Sequence, residues 1–361
     1  MNVPSRKEIF KVKSVDIEFY EKNLKEFLPD KMIDIHTHVW LDHLVKHHDE
    51  ELKKVVSWPS KVAKDNSIED LLETNRLLFP DKDILSLIFS NILDKNNLGP
   101  LNQYCSDCAE KHGHQSLAVC RPDWDAEQFE SVIRKGRFWG AKVYLTFAPE
   151  HIPGDEIEIF DFLPHHQLEV LDQNGWVVML HIARPLRLRD PVNLAQLLEI
   201  ENRYPNVKLV VAHVGRAYCI EDVGNAFEIL RDTQNMVFDF SANTNKDVFK
   251  LLIEAVGPQR ILYGSDLPIT RMRMKRITEN GRYINLVKKG DYGDVSHDPN
   301  MREVSPEEAQ AFTFFLYEEI DAFRQAAEAT GLTGHDIKDV FYNNAEKLLG
   351  SIKSTVTKSM S

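Results

Sequence analysis

The sequence predicts an α/β fold and, within that class, a closed (β/α)8 TIM barrel. Three observations carry this. Eight short, apolar, β-prone runs recur along the chain. After the first gap they begin about 24 to 37 residues apart, the length of a βα unit. The stretches between them are longer and amphipathic, as helices covering a parallel sheet must be. The rival arrangement is an open, doubly wound sheet; the count of eight units favours closure.

In order, the predicted strands are 32–36, 84–90, 116–121, 139–145, 176–181, 208–213, 236–240 and 260–264. Helices are predicted between them, for example 191–203, 221–233 and 246–256. Three segments stand outside the repeat. Residues 5–28 read as a helix packed before the first strand. Residues 40–82 are too long for one connection and read as an insertion after strand one. Residues 267–304 read as a long polar loop after strand eight, rich in arginine and lysine. Insertions behind a barrel strand lie on its C-terminal face, so this is the expected active-site loop. The C-terminal part reads as two extra helices, 305–331 and 335–350. Ser305-Pro306-Glu307-Glu308 gives the first of them a capping serine, proline at the first position and glutamate three residues on. The whole of 1–361 is expected to be one domain.

Composition narrows the class. The chain has 361 residues, 43% hydrophobic and 28% charged, close to an ordinary globular protein and unlike a disordered or collagen-like chain. It holds no apolar run of about 18 residues, so no transmembrane helix is expected. The N-terminal MNVPSRKEIFKVK lacks the apolar core of a signal peptide, and a cytoplasmic protein is expected. Four cysteines in this length do not suggest a disulfide framework. The 44 basic and 56 acidic residues give a net charge of −12, which argues against nucleic acid or an anionic membrane as main partner. A small anionic substrate in a locally basic cleft stays open.

The chemistry gathers at strand ends. In Asp34-Ile35-His36-Thr37-His38, alternation sends Ile33 and Ile35 outward and Asp34, His36 and His38 into the barrel. Two imidazoles on one face, two residues apart, can grip one metal ion. The plain alternative is an ordinary polar strand end. Strand five (WVVMLH) stops at His181, strand six (LVVAH) at His213, and strand eight (ILYGSD) runs into Asp266. Each alone suits a hydrogen-bonded structural residue. Together they mark the end of the barrel where barrel chemistry sits, and imidazole with carboxylate suits zinc, iron or manganese.

The order HxH, histidine, histidine, aspartate resembles the amidohydrolase superfamily. The segments IDIHTHVW, LHIARPLRLRDPVNLAQLLEIENRYPNVKLVVAHVGRAY, ILYGSDLP and FYNNAEKLLG are similar to its amidohydrolase-related branch, over about residues 32–350. The resemblance implies that His36, His38, His181 and Asp266 hold a divalent ion, zinc first, with manganese or iron(II) as alternatives. It implies that Asp266 accepts a proton from metal-bound water, and that His213 polarises the substrate carbonyl or acts as acid and base. In a two-metal site, His213 and a carbamylated Lys142 would join the ligands. Members of the branch include lactone hydrolases, other hydrolases and nonoxidative decarboxylases.

Lys142, in strand four (WGAKVYL), shares a face with Tyr144 and Thr146. A lysine inside a barrel needs a reason, because an unpaired buried charge is costly. Carbamylation, a salt bridge to a ligand carboxylate, and substrate binding are the candidates, and one metal is the expected count. Arg184, Arg216, Arg271 and Arg273 follow the strand-end residues closely and are expected to rim the pocket and bind an acidic substrate. The alternative for each is an ion pair with a nearby acid such as Asp190 or Glu221. Cys105 and Cys108, with His112 and His114, resemble a zinc knot but lack a second pair and read as helix. His165-His166 and His47-His48 read as solvated faces. Asp239 in strand seven reads as structural or pocket-lining.

The expectation is therefore a metal-dependent hydrolase attacking a lactone, ester or amide carbonyl of a small acidic substrate with metal-bound hydroxide. A nonoxidative decarboxylase using the same single-metal site is the first rival, and a non-catalytic metal- or ligand-binding barrel the second. A homo-oligomer is expected, with the 40–82 insertion as the contact candidate.

Overall fold

The computed structural model describes residues 9–46, 62–92 and 94–357. His47 and His48 lie outside the described residues.

The predicted strands form a parallel barrel. They are β1 (Lys31–His38), β2 (Asp83–Phe89), β3 (Gln115–Ser116) and β4 (Ala118–Val119), then β5 (Gly140–Val143), β6 (Val177–Leu180), β7 (Lys208–Val211), β8 (Val237–Asp239) and β9 (Ile261–Leu262). β3 and β4 are the single predicted third strand, interrupted at Leu117, whose N–H still reaches the Ile88 carbonyl at 3.0 Å. β1, β2 and β3 pair in that order, and β4 to β9 pair consecutively, all parallel. The ring closes between the last strand and the first. The Ile35 N–H donates to the Tyr263 carbonyl at 3.0 Å, the Asp266 N–H to the His36 carbonyl at 2.7 Å, and the His38 N–H to the Leu267 carbonyl at 2.9 Å. Closure brings Asp266 beside the two β1 histidines, 228 residues from His38.

Helices cover the outside. Ala126–Lys135 shows why they form. Asp125 caps it by accepting the Gln128 N–H at 2.8 Å, Phe129 and Ile133 fall one turn apart and are buried, and Gly136 follows its end. Each such side chain contributes about 1.5–3 kcal/mol when fully buried. The C-terminal helical stretch covers the β9–β1 seam: the Val340 carbonyl takes the Tyr263 N–H at 3.1 Å, and Asn344 Nδ2 donates to the Pro258 and Ile261 carbonyls.

Four expectations need correction. The N-terminal helix begins at Ser14, because Asp16 caps it by accepting the Lys13 N–H at 2.7 Å, and it continues as one wide turn over Tyr20–Leu24. The helix predicted over 221–233 is broken: Gly224 takes φ 53°, leaving Ile220–Asp222 and Ala226–Leu230. The 305–331 helix starts late. Ser305 caps Glu308 at 3.2 Å, but only one tight turn follows, and the long helix is Phe315–Thr330.

The largest difference is the segment 267–304, which is a sheet where a polar loop is expected. β10 (Met274–Glu279) and β11 (Arg282–Lys288) form an antiparallel hairpin, and β12 (Met301–Val304) adds parallel to β11. Asn280 and Gly281 make the turn with φ 50° and 72°, the conformation that an Asn-Gly pair favours. Met272, Met274, Val287, Val295 and Met301 anchor this sheet against Ala242 and Phe315. No helix among the described residues is long and apolar enough to cross a membrane.

Candidate metal centre

His36, His38 and Asp266 are buried and offer ligand atoms within 4.8 Å of one another. A one-residue bulge in β1 between Asp34 and Thr37 lies at the site, a common place for one. Asp34 stays below, accepting from Ser265 N–H at 2.8 Å and from Ser265 Oγ–H. Burial pushes its carboxyl up to about 7, against the pull of those hydrogen bonds.

The partners behind the rings fix the tautomers. His36 Nδ1 lies 2.9 Å from Asp239 Oδ2. Burial alone would raise the Asp239 carboxyl, but His36, His213 and Ser241 hold it well below the usual range, so it is an acceptor and His36 Nδ1 carries the proton. His38 Nδ1 faces the Ser90 carbonyl at 3.3 Å and must likewise donate. His213 Nδ1 faces the Ser241 carbonyl at 3.2 Å and Ser241 Oγ at 2.9 Å; that hydroxyl gives its own proton to Asp239 Oδ1. All three rings therefore present Nε2 lone pairs. Burial lowers the His36 pKa to about 4 and also lowers that of His213, so both are neutral at pH 7.

These residues fit a divalent ion. The Nε2 atoms of His38 and His36 face Asp266 Oδ1 at 3.2 and 3.6 Å. Lone pair against carboxylate calls for a cation between them. Burial would raise the Asp266 carboxyl, but the histidines around it outweigh that, and the net shift is downward. Ring nitrogens hydrogen-bonded from behind are the usual support of metal-binding histidines. His181 stands outside the tight group, its ring 5.3 Å from that of His213, but it lines the same cavity. Its Nδ1 is buried without a hydrogen-bond partner among the described residues, an atom left for a ligand. His36, His213 and Asp239 form a second, overlapping group.

The backbone at the site is strained. His213, Val214, Gly215 and Arg216 all take φ between 51° and 60°, a left-handed turn costing non-glycine residues about 1–2 kcal/mol each. The His213 N–H is held there by Asp239 Oδ1 at 3.0 Å.

The centre opens into a cavity of about 520 Å³, in the range of small-molecule sites. Lys142, Tyr144 and Thr146 line it, but so does Leu145, because the strand ends at Val143 and a tight turn over Leu145–Phe147 breaks the alternation. Lys142 is 1% exposed, forms no salt bridge among the described residues, and has its ammonium 5.1 Å from the ring centres of Phe89 and Tyr144. Burial lowers its pKa to about 8, against the pull of Asp239 and Asp266.

Arg184 and Arg216 also line the cavity. Arg184 pairs with Asp190 at 3.1 Å, and Arg216 donates to the Ala183 carbonyl at 2.7 Å. The structure brings Arg271 and Arg273 elsewhere, a correction to the sequence reading. Arg273 donates to the fully buried Asp16 at 2.6 Å and lies 4.2 Å from the Phe314 ring centre. Arg271 is buried against Phe10 and Thr74. The N-terminal segment supplies the acid and the ring that draw them off.

Cys105 and Cys108 are buried on the helix Leu98–His112 and join no metal-type group among the described residues. His165 meets the Tyr204 hydroxyl at 2.8 Å and His166 the Trp124 carbonyl at 2.9 Å, so neither is a merely solvated side chain. Sequence reasoning missed Tyr218, Arg276, Tyr283, Asn285 and Asn300, which line the cavity, most of them from the β10–β12 sheet. The Asn280-Gly281 pair between alternating runs was the signal that could have found the hairpin.

A closed parallel barrel with a histidine and aspartate cluster at the C-terminal ends of its strands defines a class, the metal-centred (β/α)8 barrels. The chain belongs to the amidohydrolase family: the model described as amidohydrolase (Amidohydro_2) matches residues 33–351. Its members are metal-dependent enzymes that include hydrolases and decarboxylases. No curated protein gives a significant match. Among solved structures, the chain is similar to a dihydroxybenzoic acid decarboxylase of Polaromonas sp. JS666, which holds manganese and 2-nitroresorcinol (14% identity, TM-score 0.54, covering 89% of this chain and 97% of that one). It is similar to 4-oxalomesaconate hydratase of Rhodopseudomonas palustris (15%, 0.53, 91% and 98%). A third likeness is to amidohydrolase 2 of Bifidobacterium longum subsp. infantis (14%, 0.51, 89% and 99%). At these identities the structural likeness speaks for the fold.

Proposed function

We propose that this chain is a metal-dependent hydrolase acting on the carbonyl of a lactone, ester or amide in a small acidic substrate. The observation that carries the reading is the group His36, His38 and Asp266, with both Nε2 lone pairs turned toward the carboxylate. One divalent ion, zinc, manganese or iron(II), held by these residues with His181 as a further donor, would act as a Lewis acid and lower the pKa of water there. Asp266, ionised at neutral pH, accepts a proton from the attacking water and returns it to the leaving atom. His213, neutral with Nε2 free, serves as a second proton acceptor, and polarises the carbonyl only once protonated. Arg184 and Arg216 bind the acidic group. Lys142 stays unmodified in this reading and adds positive charge to the wall.

A nonoxidative decarboxylase is the second reading. It is favoured by the Lys142 ammonium set against the Phe89 and Tyr144 rings, a wall suited to an unsaturated carboxylate. The test is metal content per chain, followed by a screen of lactones and unsaturated acids that records both ring opening and CO2. Ring opening lost on chelation supports hydrolysis. CO2 release replaces it with the second reading. Activity retained in a His36→Ala plus Asp266→Asn variant overturns both, and metal binding without turnover across the screen favours a binding barrel.

A further inference from the structure

The β10–β12 sheet carries a cation that the proposed chemistry does not use. Arg276, on β10, lines the cavity of the metal centre. Its Nε–H donates to Asn285 Oδ1 at 2.8 Å and one Nη1–H to the Ala242 carbonyl at 2.6 Å. Its guanidinium carbon lies 4.6 Å from the Tyr283 ring centre, 5.0 Å from Tyr218 and 4.5 Å from Phe315. The plane is thus fixed, and the rest of its five N–H groups stay available.

Arg187 provides an internal comparison. It stacks on the same two tyrosines, at 5.2 and 5.0 Å, but it is neutralised by Asp222 at 2.7 Å. Arg276 has no salt bridge among the described residues, although the chain holds more acids than bases. Asp298, which also lines the cavity, caps the Asn300 N–H at 2.8 Å instead. Burial lowers the Arg276 pKa; Tyr283, Tyr218, Cys219 and the buried Glu319 pull the other way, but none of them closes an ion pair with it among the described residues. The bond from Arg276 to its oxygen orients the Asn285 amide and leaves its NH2 group as a donor. The outer cleft that Arg276 also borders, about 260 Å³, is lined by Glu318 and Asp321, two acids that oppose a further anion there.

We infer that Arg276, supported by Asn285, is a specificity-determining anion subsite built by the inserted sheet, receiving a second anionic group of the substrate, a carboxylate or a phosphate. The substrate is then an acid with an anionic end apart from the bond attacked. This rests on the reading that the cavity is a substrate site, and it is independent of which bond breaks there.

The experiment is calorimetric titration of the metal-loaded protein with glutarate and with inorganic phosphate, needing no turnover. Loss of a charge-assisted, bidentate contact weakens binding by about 10- to 100-fold. Arg276→Gln is expected to show that loss for one of the two probes, which also tells carboxylate from phosphate. Arg276→Lys, which keeps charge but not the fork, is expected to recover part of it. Should Arg276→Gln fail to fold, Arg276→Lys alone still reads the loss of the fork. Affinity within twofold of wild type for both probes in either folded variant overturns the inference, as does the absence of millimolar binding of either probe to the wild type. Failure of the hydrolase reading looks different: metal or turnover is missing while the Arg276-dependent binding stays.

Discussion

Asp239→Asn tests how the centre holds its ligands. Asp239 is fully buried and receives four donors. Oδ1 takes the N–H groups of His213 and Ser241, each at 3.0 Å, and the Ser241 hydroxyl; Oδ2 takes His36 Nδ1–H at 2.9 Å. An asparagine has one acceptor oxygen. Three donors converge at Oδ1, so the oxygen stays there and the new NH2 group faces His36 Nδ1–H. Donor then opposes donor. The ring escapes by moving its proton to Nε2, the atom turned toward Asp266, and its lone pair is lost to the ion. Loss of such a supporting partner lowers metal affinity by about 10- to 100-fold, equivalent to roughly 1.4–2.7 kcal/mol. The assay is competition for zinc or manganese against a chromophoric chelator, on variant protein whose circular dichroism matches wild type. Affinity within twofold of wild type would refute the argument that Asp239 sets the His36 tautomer.

Three further outcomes are expected. In Gly264→Ala the new Cβ would stand 2.8 Å from His36 Cβ and 3.4 Å from Ser241 Cβ; overpacking there should cost about 1–3 kcal/mol in urea unfolding and weaken metal loading, and a variant as stable as wild type would remove the close-packing claim. Lys142 has a folded pKa of about 8 against 10.5 for the free side chain. Its burial penalty is therefore full below pH 8 and fades as pH rises to about 10.5, so stability of the chelated protein should rise across that window. Lys142→Met should abolish the rise and stabilise the protein by about 3 kcal/mol at pH 7; no pH dependence in the parent would point to a modified lysine instead. Arg273→Ala leaves Asp16 buried without its guanidinium and should cost about 3 kcal/mol in thermal or urea unfolding, while metal loading stays unchanged; loss of metal without loss of stability would return Arg273 to the site.

The legible parts of this protein are those written in local periods. The strand-end histidines and Asp266 could be found because each strand is a short apolar run that stops at a polar residue. Lys142 could be placed inside because alternation in a strand has period two. The arginines could not be sorted in the same way. Arg184 and Arg216 stay at the cavity, while Arg273 is captured by an acid 257 positions away. The sheet over 274–304 was obscured by its polar composition, although its Asn-Gly turn was visible.

Local periods carry the class of fold, the strand ends that bear the chemistry and the residue types gathered there, since backbone geometry imposes those periods on any chain with this pattern. Folding in three dimensions adds the rest: Asp266 meets His36 and His38 across the closing seam, Asp239, Ser90 and Ser241 orient the three rings, and Arg276 comes to the cavity while Arg271 and Arg273 leave it. The reason is physical: the partner of a buried charge or ring nitrogen is chosen by which groups packing brings within about 3 Å, and along this chain those groups lie tens to hundreds of residues apart.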